Sequence, residues 1–347
     1  MFIVLFCAAY RKPKENLMTK SEFEKHAMAL YEFCDYPAVR YNILYTLLNV
    51  PYEDERLTEL RKQFLRSDIV EELYECQEAN GGWGMLRSKD YSVKAKIPTS
   101  GVGIERCLYL GLTLEDRDIL FMAREYLLSF LEGNPPERVF ETNERAVPWQ
   151  NAIVCNYLEA IQHHTAECDD IYNQWHYIAH RAYGSGEYSY EADAAAQHEV
   201  FLTREKRLVP MQSELLLKRR ERLAPGIEDA MLRHLGGYAN EHGHFWDKTP
   251  EKLPEEFRHN QMRRWMHTFN YINQFQGSAR YLQNAVGWLM EQVGADGLWD
   301  WGPQTKDPWG YFGYFSCNRH YQHNRVVDGS MEILKFLKKY IDNNQED

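Results

Sequence analysis

The sequence predicts an all-helical chain in which about six helix pairs close into a ring. Apolar residues recur with helical spacing along most of the 347 residues, and no long segment alternates apolar and polar positions as a strand does. Five turn glycines, spaced 52 to 57 residues apart, divide the helices into pairs: Gly81, Gly133, Gly186, Gly243 and Gly297. A fixed period of this length is typical of stacked helix pairs that cannot bury their apolar faces alone.

The first three helices have clear sequence boundaries. The segment Ser21–Cys34 opens with a Ser-x-x-Glu capping box made by Ser21 and Glu24. Pro37 begins a second helix that extends to Leu48, and a third covers Arg56–Cys76. The remaining helices are predicted at Ser100–Leu110, Leu114–Leu131, Trp149–His164, Asp169–Ala182, Ala194–Leu217, Ile227–Leu235, Asn260–Gln274, Ser278–Val293 and Asn324–Ile341.

Stacked helix pairs can form either an open solenoid or a closed ring. Solenoids usually carry polar capping repeats, and neither terminal helix of this chain is polar on both faces. The ring is therefore favoured, and residues 18–347 are expected to form one domain, an (α/α)6 barrel.

Charge and cysteine content narrow the possible partners. The net charge is −11, from 40 basic and 51 acidic residues, whereas nucleic acids and anionic membranes reward clustered positive charge. We therefore expect a small-molecule ligand, and no segment is long and apolar enough to span a membrane. Seven dispersed cysteines without a C-x-x-C pair predict reduced thiols and a cytoplasmic location.

Residues 1–17 are predicted to be a disordered or adventitious leader, with Met18 as an alternative start. The apolar stretch Met1–Tyr10 precedes the basic residues of Arg11–Lys14, whereas a secretory signal has its basic residues first. Secretion through an atypical signal is the alternative.

One turn carries a more specific pattern. Residues Gln77–Trp83 read Q-x-x-x-G-x-W and are followed by a helix rich in small residues at Ser100–Leu110. This combination resembles the repeat of squalene-hopene cyclases, within the superfamily of terpenoid cyclases and protein prenyltransferases. The resemblance implies an α/α toroid and an apolar, isoprenoid-type ligand in its central cavity. Around Gly297 the glutamine, Gln292, is displaced by one position. The turns around Gly133, Gly186 and Gly243 match the pattern only in part.

The catalytic motifs of those families are missing. The chain has no D-x-D-D, and its nearest string, Glu167–Asp170, begins a predicted helix, where acidic residues serve as caps. It also lacks the D-x-C of the zinc-binding prenyltransferases. Cys317, His320 and His323 are weak candidate zinc ligands without a second cluster. We therefore predict no cofactor, since neither Mg²⁺ nor Zn²⁺ has a full motif.

The C-terminal turn holds the densest group of acidic and aromatic residues. Asp296, Asp300 and Asp328 are the candidate catalytic acids. The candidate substrate-binding residues near them are Trp301, Trp309, Tyr311 and Tyr314. Acids among aromatic faces suit two chemistries: protonation of an alkene with stabilisation of the cation, or acid–base cleavage of a sugar stacked on tryptophan.

A second candidate group lies in the turn around Gly243. His244 and Asp247 form a possible acid–base pair, with Trp246 beside them. Further candidate substrate-binding residues are Trp83, Trp149, Trp265 and Arg264, of which the arginine suits an anionic group such as a diphosphate.

Three functions therefore compete. The first is a terpenoid cyclase-like or prenyltransferase-like protein, the second a carbohydrate-active (α/α)6-barrel enzyme, and the third a non-catalytic ligand-binding toroid. A cyclase cavity should be lined by Phe, Trp and Tyr with one buried acid, whereas a glycosidase needs two carboxyl groups facing one another.

Overall fold

In the computed structural model, residues 18–87, 94–134, 146–202, 211–237, 253–254, 256–303, 315 and 321–343 are described. Within these ranges all regular elements are helical and no strand occurs, which confirms the all-helical class. The α-helices are α1 Lys20–Phe33, α2 Pro37–Asn42, α3 Glu55–Phe64, α4 Asp68–Glu75, α5 Ser100–Leu110, α6 Ile119–Leu131, α7 Ala146–Ile161, α8 Asp169–Tyr183, α9 Tyr190–Phe201, α10 Ser213–Lys218, α11 Ile227–Gly237, α12 His259–Ile272, α13 Ala279–Glu291 and α14 Gln322–Asp342. A π-helical turn, Ile43–Leu47, extends α2, and 3₁₀ turns cover Ala166–Cys168 and Arg220–Arg222.

The predicted capping box of α1 was displaced by two residues. Thr19, not Ser21, is the N-cap: its hydroxyl accepts from Glu22 N at 3.2 Å, and Glu22 Oε2 accepts from Thr19 N at 2.9 Å. Both strings have the Ser/Thr-x-x-Glu spacing, so the pattern alone did not distinguish them. Pro37 begins α2 as predicted.

Two predicted long helices are each divided into two. The segment Arg56–Cys76 breaks between α3 and α4, where the Ser67 hydroxyl donates to Phe64 O at 2.6 Å. Serine at such a position competes with the helix for backbone partners. The segment Ala194–Leu217 covers most of α9 and all but the last residue of α10, with residues 203–210 between them outside the described part.

The start of α6 is also later than predicted. Asp116 accepts from Thr113 N at 2.7 Å and also pairs with Arg61 of α3, so Leu114–Asp118 form a turn before the helix. The acid thereby gives the Thr113 N–H an acceptor within the turn.

Four of the five turn glycines lie in the described residues, and all four have positive φ. The values are 87° for Gly81, 76° for Gly133, 88° for Gly186 and 79° for Gly297. Residues other than glycine rarely adopt this backbone conformation, so each of these four glycines lies in a turn that favours glycine. Gly243 lies outside the described residues.

The first and last helices of the described chain pack against each other. Helix α1 contacts α14, and the π-helical turn after α2 contacts both of them. Tyr36, which precedes α2, donates its hydroxyl to Asn324 Oδ1 at 2.7 Å. The two ends of the domain are therefore neighbours in space.

Side-chain hydrogen bonds join a series of helices that are not consecutive in sequence. Asn42 Nδ2 donates to Leu110 O at 2.7 Å, joining α2 to α5. The series continues from α5 to α7, from α7 to α10 and from α10 to α12 through the bonds Tyr157–Glu105, Asn156–Glu214 and Ser213–Tyr271. Asn270 Nδ2 then donates to Glu332 Oε1 of α14 at 2.7 Å.

A buried ion pair fixes α10 against α7 and α8. Arg219 Nη2 lies 2.6 Å from Glu159 Oε1 and donates to Thr165 O at 2.6 Å. Arg219 also pairs with Asp169, the residue in the position of a D-x-D-D acid, whose side chain is 54% exposed at the start of α8. Asp169 therefore serves as a helix-end partner.

No helix among the described residues is long and apolar enough to cross a membrane. Residues 1–17, predicted to be a leader, lie outside the described part of the chain.

Candidate functional site

Trp83 anchors the first glycine turn to the helices around it. Its indole Nε1 donates to Leu73 O of α4 at 2.8 Å, and its backbone N donates to Ser100 Oγ at the start of α5 at 2.9 Å. Gln77 Nε2 donates to Gly81 O and to the first carbonyl of α6, both at 2.8 Å. Trp83 is 2% exposed, so its ring serves the packing of the turn and presents almost no surface to a ligand.

The last glycine turn repeats these contacts around Trp299. The indole Nε1 donates to Leu289 O at 2.8 Å, and the backbone N donates to Ser330 Oγ at 2.9 Å. Gly297 O accepts from His26 Nδ1 of α1 at 2.7 Å, where the first turn uses Gln77. One geometry therefore holds both turns, although their sequences differ in the glutamine.

Asp296 belongs to this turn geometry. Its carboxylate accepts from Leu298 N at 3.1 Å, as Asn80 Oδ1 accepts from Gly82 N at 2.9 Å in the first turn. The equivalence with a neutral asparagine favours a structural role for this candidate acid.

The other two C-terminal candidate acids also have protein partners. Asp300 Oδ1 accepts from Gly302 N at 2.8 Å and lies 3.2 Å from Arg325 Nε. Asp328 is buried and accepts from Phe315 N at 2.9 Å. Trp301 is buried against Gly329 of α14. Asp300 and Asp328 therefore join the start of α14 to the segment after Trp299 and to Phe315.

Two of the remaining candidate tryptophans have different surroundings. Trp265 lies in the core, with its ring centroid 4.1 Å from Phe269 and 5.2 Å from Trp288. Trp149 is half-buried at the start of α7, and the Arg87 guanidinium lies 5.3 Å from its ring centroid. Trp149 is therefore the better placed of the two to meet a ligand.

Several predicted site residues lie outside the described part of the chain. These are His244, Trp246, Asp247, Trp309, Tyr311, Tyr314, Cys317 and His320, together with the side chain of Arg264. His323 is described, and its ring stacks on Phe33 with centroids 4.7 Å apart. No group of His, Cys, Asp and Glu within the described ranges is arranged to hold a metal ion.

A site that the sequence did not predict is built around Glu105 of α5. Burial raises the pKa of this carboxyl group, although a hydrogen bond from Tyr157 Oη at 2.6 Å lowers it in part. The side chain is nonetheless exposed to solvent. Protein atoms therefore surround this carboxyl group on several sides while it still contacts solvent.

Gly101 gives Tyr157 room to reach that carboxyl group. A Cβ at position 101 would lie 2.8 Å from Tyr157 Oη and 3.0 Å from Leu86 O. Position 101 is one helical turn before Glu105, so the glycine and the acid share a face of α5. The small residue therefore allows α7 to approach the acid closely.

Glu214 of α10 is a second acid near Glu105. Burial raises its pKa, and the nearby charge of Glu105 raises it further. Asn156 Nδ2 of α7 donates to Glu214 Oε2 at 3.3 Å. Arg87 acts in the opposite direction on both glutamates. Glu105, Tyr157, Glu214 and Tyr271 come from four helices and interact with one another, and we call this group the glutamate recess.

Tyr271 of α12 completes the glutamate recess. Its hydroxyl is hydrogen-bonded to Ser213 Oγ, and burial raises its pKa, with a further contribution from Glu214. Because Arg87 influences both glutamates and also stacks on Trp149, the recess borders one of the predicted substrate-binding aromatics.

Two helices, α10 and α14, carry lysines that follow acidic residues. Lys218 follows Glu214 by one turn on α10, and burial lowers its pKa. On α14 the residues Asp328, Glu332, Lys335 and Lys339 follow one another at intervals of four, three and four, which places them on one face. Lys335 Nζ donates to Tyr109 O at 2.6 Å, and burial lowers its pKa to about 7. Acids thus precede lysines on both helices.

No family model matches the chain. Comparisons with curated proteins and with solved structures likewise gave no match. The resemblance to terpenoid cyclases therefore rests on the turn motif, and it stays a prediction.

Sequence reasoning missed Glu105 and Glu214 because both lie inside predicted helices, where an isolated acid is usually a solvated surface residue. One signal was present. Gly101, Gly103 and Glu105 share the small-residue stretch of α5, and small residues mark a helix that others approach closely. An acid in such a stretch is expected to be enclosed.

Proposed function

We propose that the helix pairs close into a toroid. The support comes from the two equivalent turns. The first turn contacts α6, through the bond from Gln77 to Ile119 O and the packing of Gly81 on Met122, whereas the second contacts α1 through His26. The contact of α1 with the turn bonded to α14 therefore corresponds to the contact of α6 with the turn bonded to α5. Because α6 is the helix that follows α5 in the chain, α1 occupies the position of a helix that would follow α14, and it closes the ring.

The series of hydrogen bonds supports the same arrangement. It runs through α2, α5, α7, α10, α12 and α14, and α14 packs against the π-helical turn that extends α2. These six helices form the inner layer of the proposed ring, and the glutamate recess lies on their inner side.

We further propose that the protein is a carbohydrate-active enzyme that cleaves glycosidic bonds in this recess. One observation carries the proposal: Glu105 and Glu214 come from different helices, both have pKa values raised by burial, and the charge of Glu105 acts on Glu214. Two neighbouring carboxyl groups with raised pKa values favour a state in which one is protonated and the other ionised. A general acid and a general base need these two protonation states.

The surroundings suit a polar substrate. Tyr157, Tyr271 and Asn156 offer hydroxyl and amide groups, and the half-buried ring of Trp149 provides a stacking surface beside Arg87. In the cleavage step, the protonated glutamic acid donates its proton to the leaving oxygen. The ionised glutamate accepts a proton from the attacking water, or from the sugar itself in an elimination.

An isoprenoid-type ligand, as in a terpenoid cyclase or prenyltransferase, is the second candidate. The geometry shared by the turns at Trp83 and Trp299 favours it, because the resemblance rests on that repeat. The acids and lysines beside the recess favour the carbohydrate instead, since a cyclase cavity should be mainly aromatic with one acid.

The test is to assay the purified protein on panels of oligosaccharides and of prenyl diphosphates. Glu105→Gln and Glu214→Gln should each lower glycosidic cleavage by about 100-fold or more, the usual contribution of a general acid or base. Glu24→Gln is the matched control, because Glu24 is exposed on α1.

Two outcomes would overturn the proposal. One is turnover of prenyl diphosphates without cleavage of any saccharide. The other is saccharide cleavage that both recess variants retain at the level of Glu24→Gln. Binding of saccharides without turnover would indicate the third class, a non-catalytic ligand-binding toroid.

A further inference from the structure

Positive charge gathers where α10, α12 and α14 end. Lys218 is the last residue of α10, Arg220 follows it, and Lys339 lies in the last turn of α14. Arg220 Nη2 donates to Gln274 O, just after α12, at 2.6 Å. Asn343, one turn beyond Lys339, donates its Nδ2 to Asn273 O at 2.7 Å. Two neighbouring carbonyls of one chain segment therefore hold the Arg220 guanidinium and the end of α14.

Lys339 has no anionic partner within the described part of the chain. Its side chain makes no ion pair or hydrogen bond there, and the charged groups that act on it are Lys218 and Arg220. The residue is exposed at the surface, yet desolvation by the surrounding protein lowers its pKa to about 8, and the two cations lower it further. By contrast, Arg220 lies 3.5 Å from Glu228, and Lys218 interacts with Glu214.

The helix ends offset only part of this charge. The C-terminus of a helix carries a partial charge of about −0.5, which is smaller than the full charge of an ammonium group. Glu228 and Glu214 offset the charges of Arg220 and Lys218, so the positive charge of Lys339 is the one that no acidic group of the described chain offsets. Lys339 is exposed to solvent, and an unpaired positive charge that faces solvent attracts anions.

This lysine cluster, Lys218, Arg220 and Lys339, borders the glutamate recess. Lys218 lies one helical turn from Glu214 on α10, so the two side chains share a face of the helix. A ligand in contact with Glu214 therefore reaches the neighbourhood of the lysines without leaving the same helix face.

We propose that the lysine cluster binds an oxyanion, a carboxylate or a phosphate, carried by the substrate that is cleaved in the glutamate recess. This inference rests on the proposed function. The ammonium groups donate charge-assisted hydrogen bonds to the oxyanion oxygens, and those bonds are about twice as strong as bonds between neutral groups. The enzyme accordingly prefers an acidic or phosphorylated sugar over a neutral one.

The test measures binding by isothermal titration calorimetry with inorganic phosphate, glucose, glucuronate and glucose 6-phosphate. Lys339→Gln should weaken the binding of phosphate and of the charged sugars by about tenfold or more. Lys339→Arg should restore most of it. Lys338→Gln is the matched control, because Lys338 is the adjacent lysine and pairs with Asp342. The two charged sugars distinguish a carboxylate from a phosphate as the source of the oxyanion.

The failure of this inference differs from the failure of the proposed function. Equal phosphate affinity in the wild type and in Lys339→Gln, or no phosphate binding at all, overturns the oxyanion site even when Glu105→Gln and Glu214→Gln abolish cleavage. Loss of phosphate binding in Lys339→Gln supports the site, including the case in which cleavage survives both glutamate substitutions. A thermal melt of each variant shows that it is folded.

Discussion

The contact between Gly103 and Trp83 allows a sharp test of how the first turn is held. A Cβ added at Gly103 would lie 2.4 Å from Trp83 Cδ2 and 2.5 Å from Cε3. These distances are far inside van der Waals contact, and the indole is 2% exposed, so it has no free space into which to move. Gly103→Ala must therefore displace the indole or α5.

The expected cost has three parts. Overpacking in a core costs about 1–3 kcal/mol. Loss of the bond from Trp83 Nε1 to Leu73 O leaves a buried polar group unsatisfied, at about 1–3 kcal/mol. Alanine regains about 1 kcal/mol of helix propensity over glycine. The net prediction is destabilisation of roughly 1–5 kcal/mol.

A double-mutant cycle separates the steric effect from the others. In a Trp83→Leu background the clash is absent, so Gly103→Ala should be neutral or should stabilise by about 1 kcal/mol. Urea denaturation followed by circular dichroism gives the four free energies of unfolding, provided that the m-values agree. The reasoning is refuted if Gly103→Ala fails to destabilise the wild-type protein, or if it costs as much in the leucine background.

Two further substitutions test buried charges. Arg219→Met should cost about 3–5 kcal/mol in thermal or urea denaturation, because it leaves the fully buried Glu159 carboxylate without its cation. Adding Glu159→Leu should recover only part of that loss, since the backbone N–H groups of His164 and Thr165 then lose their acceptor. A cost of Arg219→Met under about 1 kcal/mol would contradict the pair's role. For Lys335, the folded pKa of about 7 is below the unfolded value, so the unfolded state binds more protons between pH 7 and about 10.5. Wild-type stability relative to Lys335→Met should therefore rise with pH across that window, by up to about 1.4 kcal/mol per pH unit; a flat or falling difference would contradict the buried neutral lysine.

Much of the helical layout was predictable because it depends on local patterns. The bounds of α5 were predicted to the residue, and Pro37 marked the start of α2. The turn glycines were identified by their place between predicted helices and by their regular spacing, and those in described residues have the positive φ that favours glycine. Breaks at Ser67 and Asp116 were missed, since they depend on side-chain bonds to the backbone within one or two turns.

The candidate site was harder to predict than the helices. The residues chosen from the sequence were acids near aromatics in turns, and the structure gives Asp296, Asp300 and Asp328 backbone or arginine partners. Glu105 and Glu214 are separated by more than a hundred residues and have no shared motif. Their pKa values depend on burial, which a sequence does not contain.

The sequence by itself determined most of the helices and the positions of the glycine turns, because spacing and backbone conformation are local properties. Only the tertiary structure decided that His26 of α1 completes the last turn in place of a glutamine, and that α5 and α10 bring two glutamates to one recess. Both depend on contacts between distant parts of the chain, where burial and neighbouring charges, rather than local sequence, set the chemistry of a side chain.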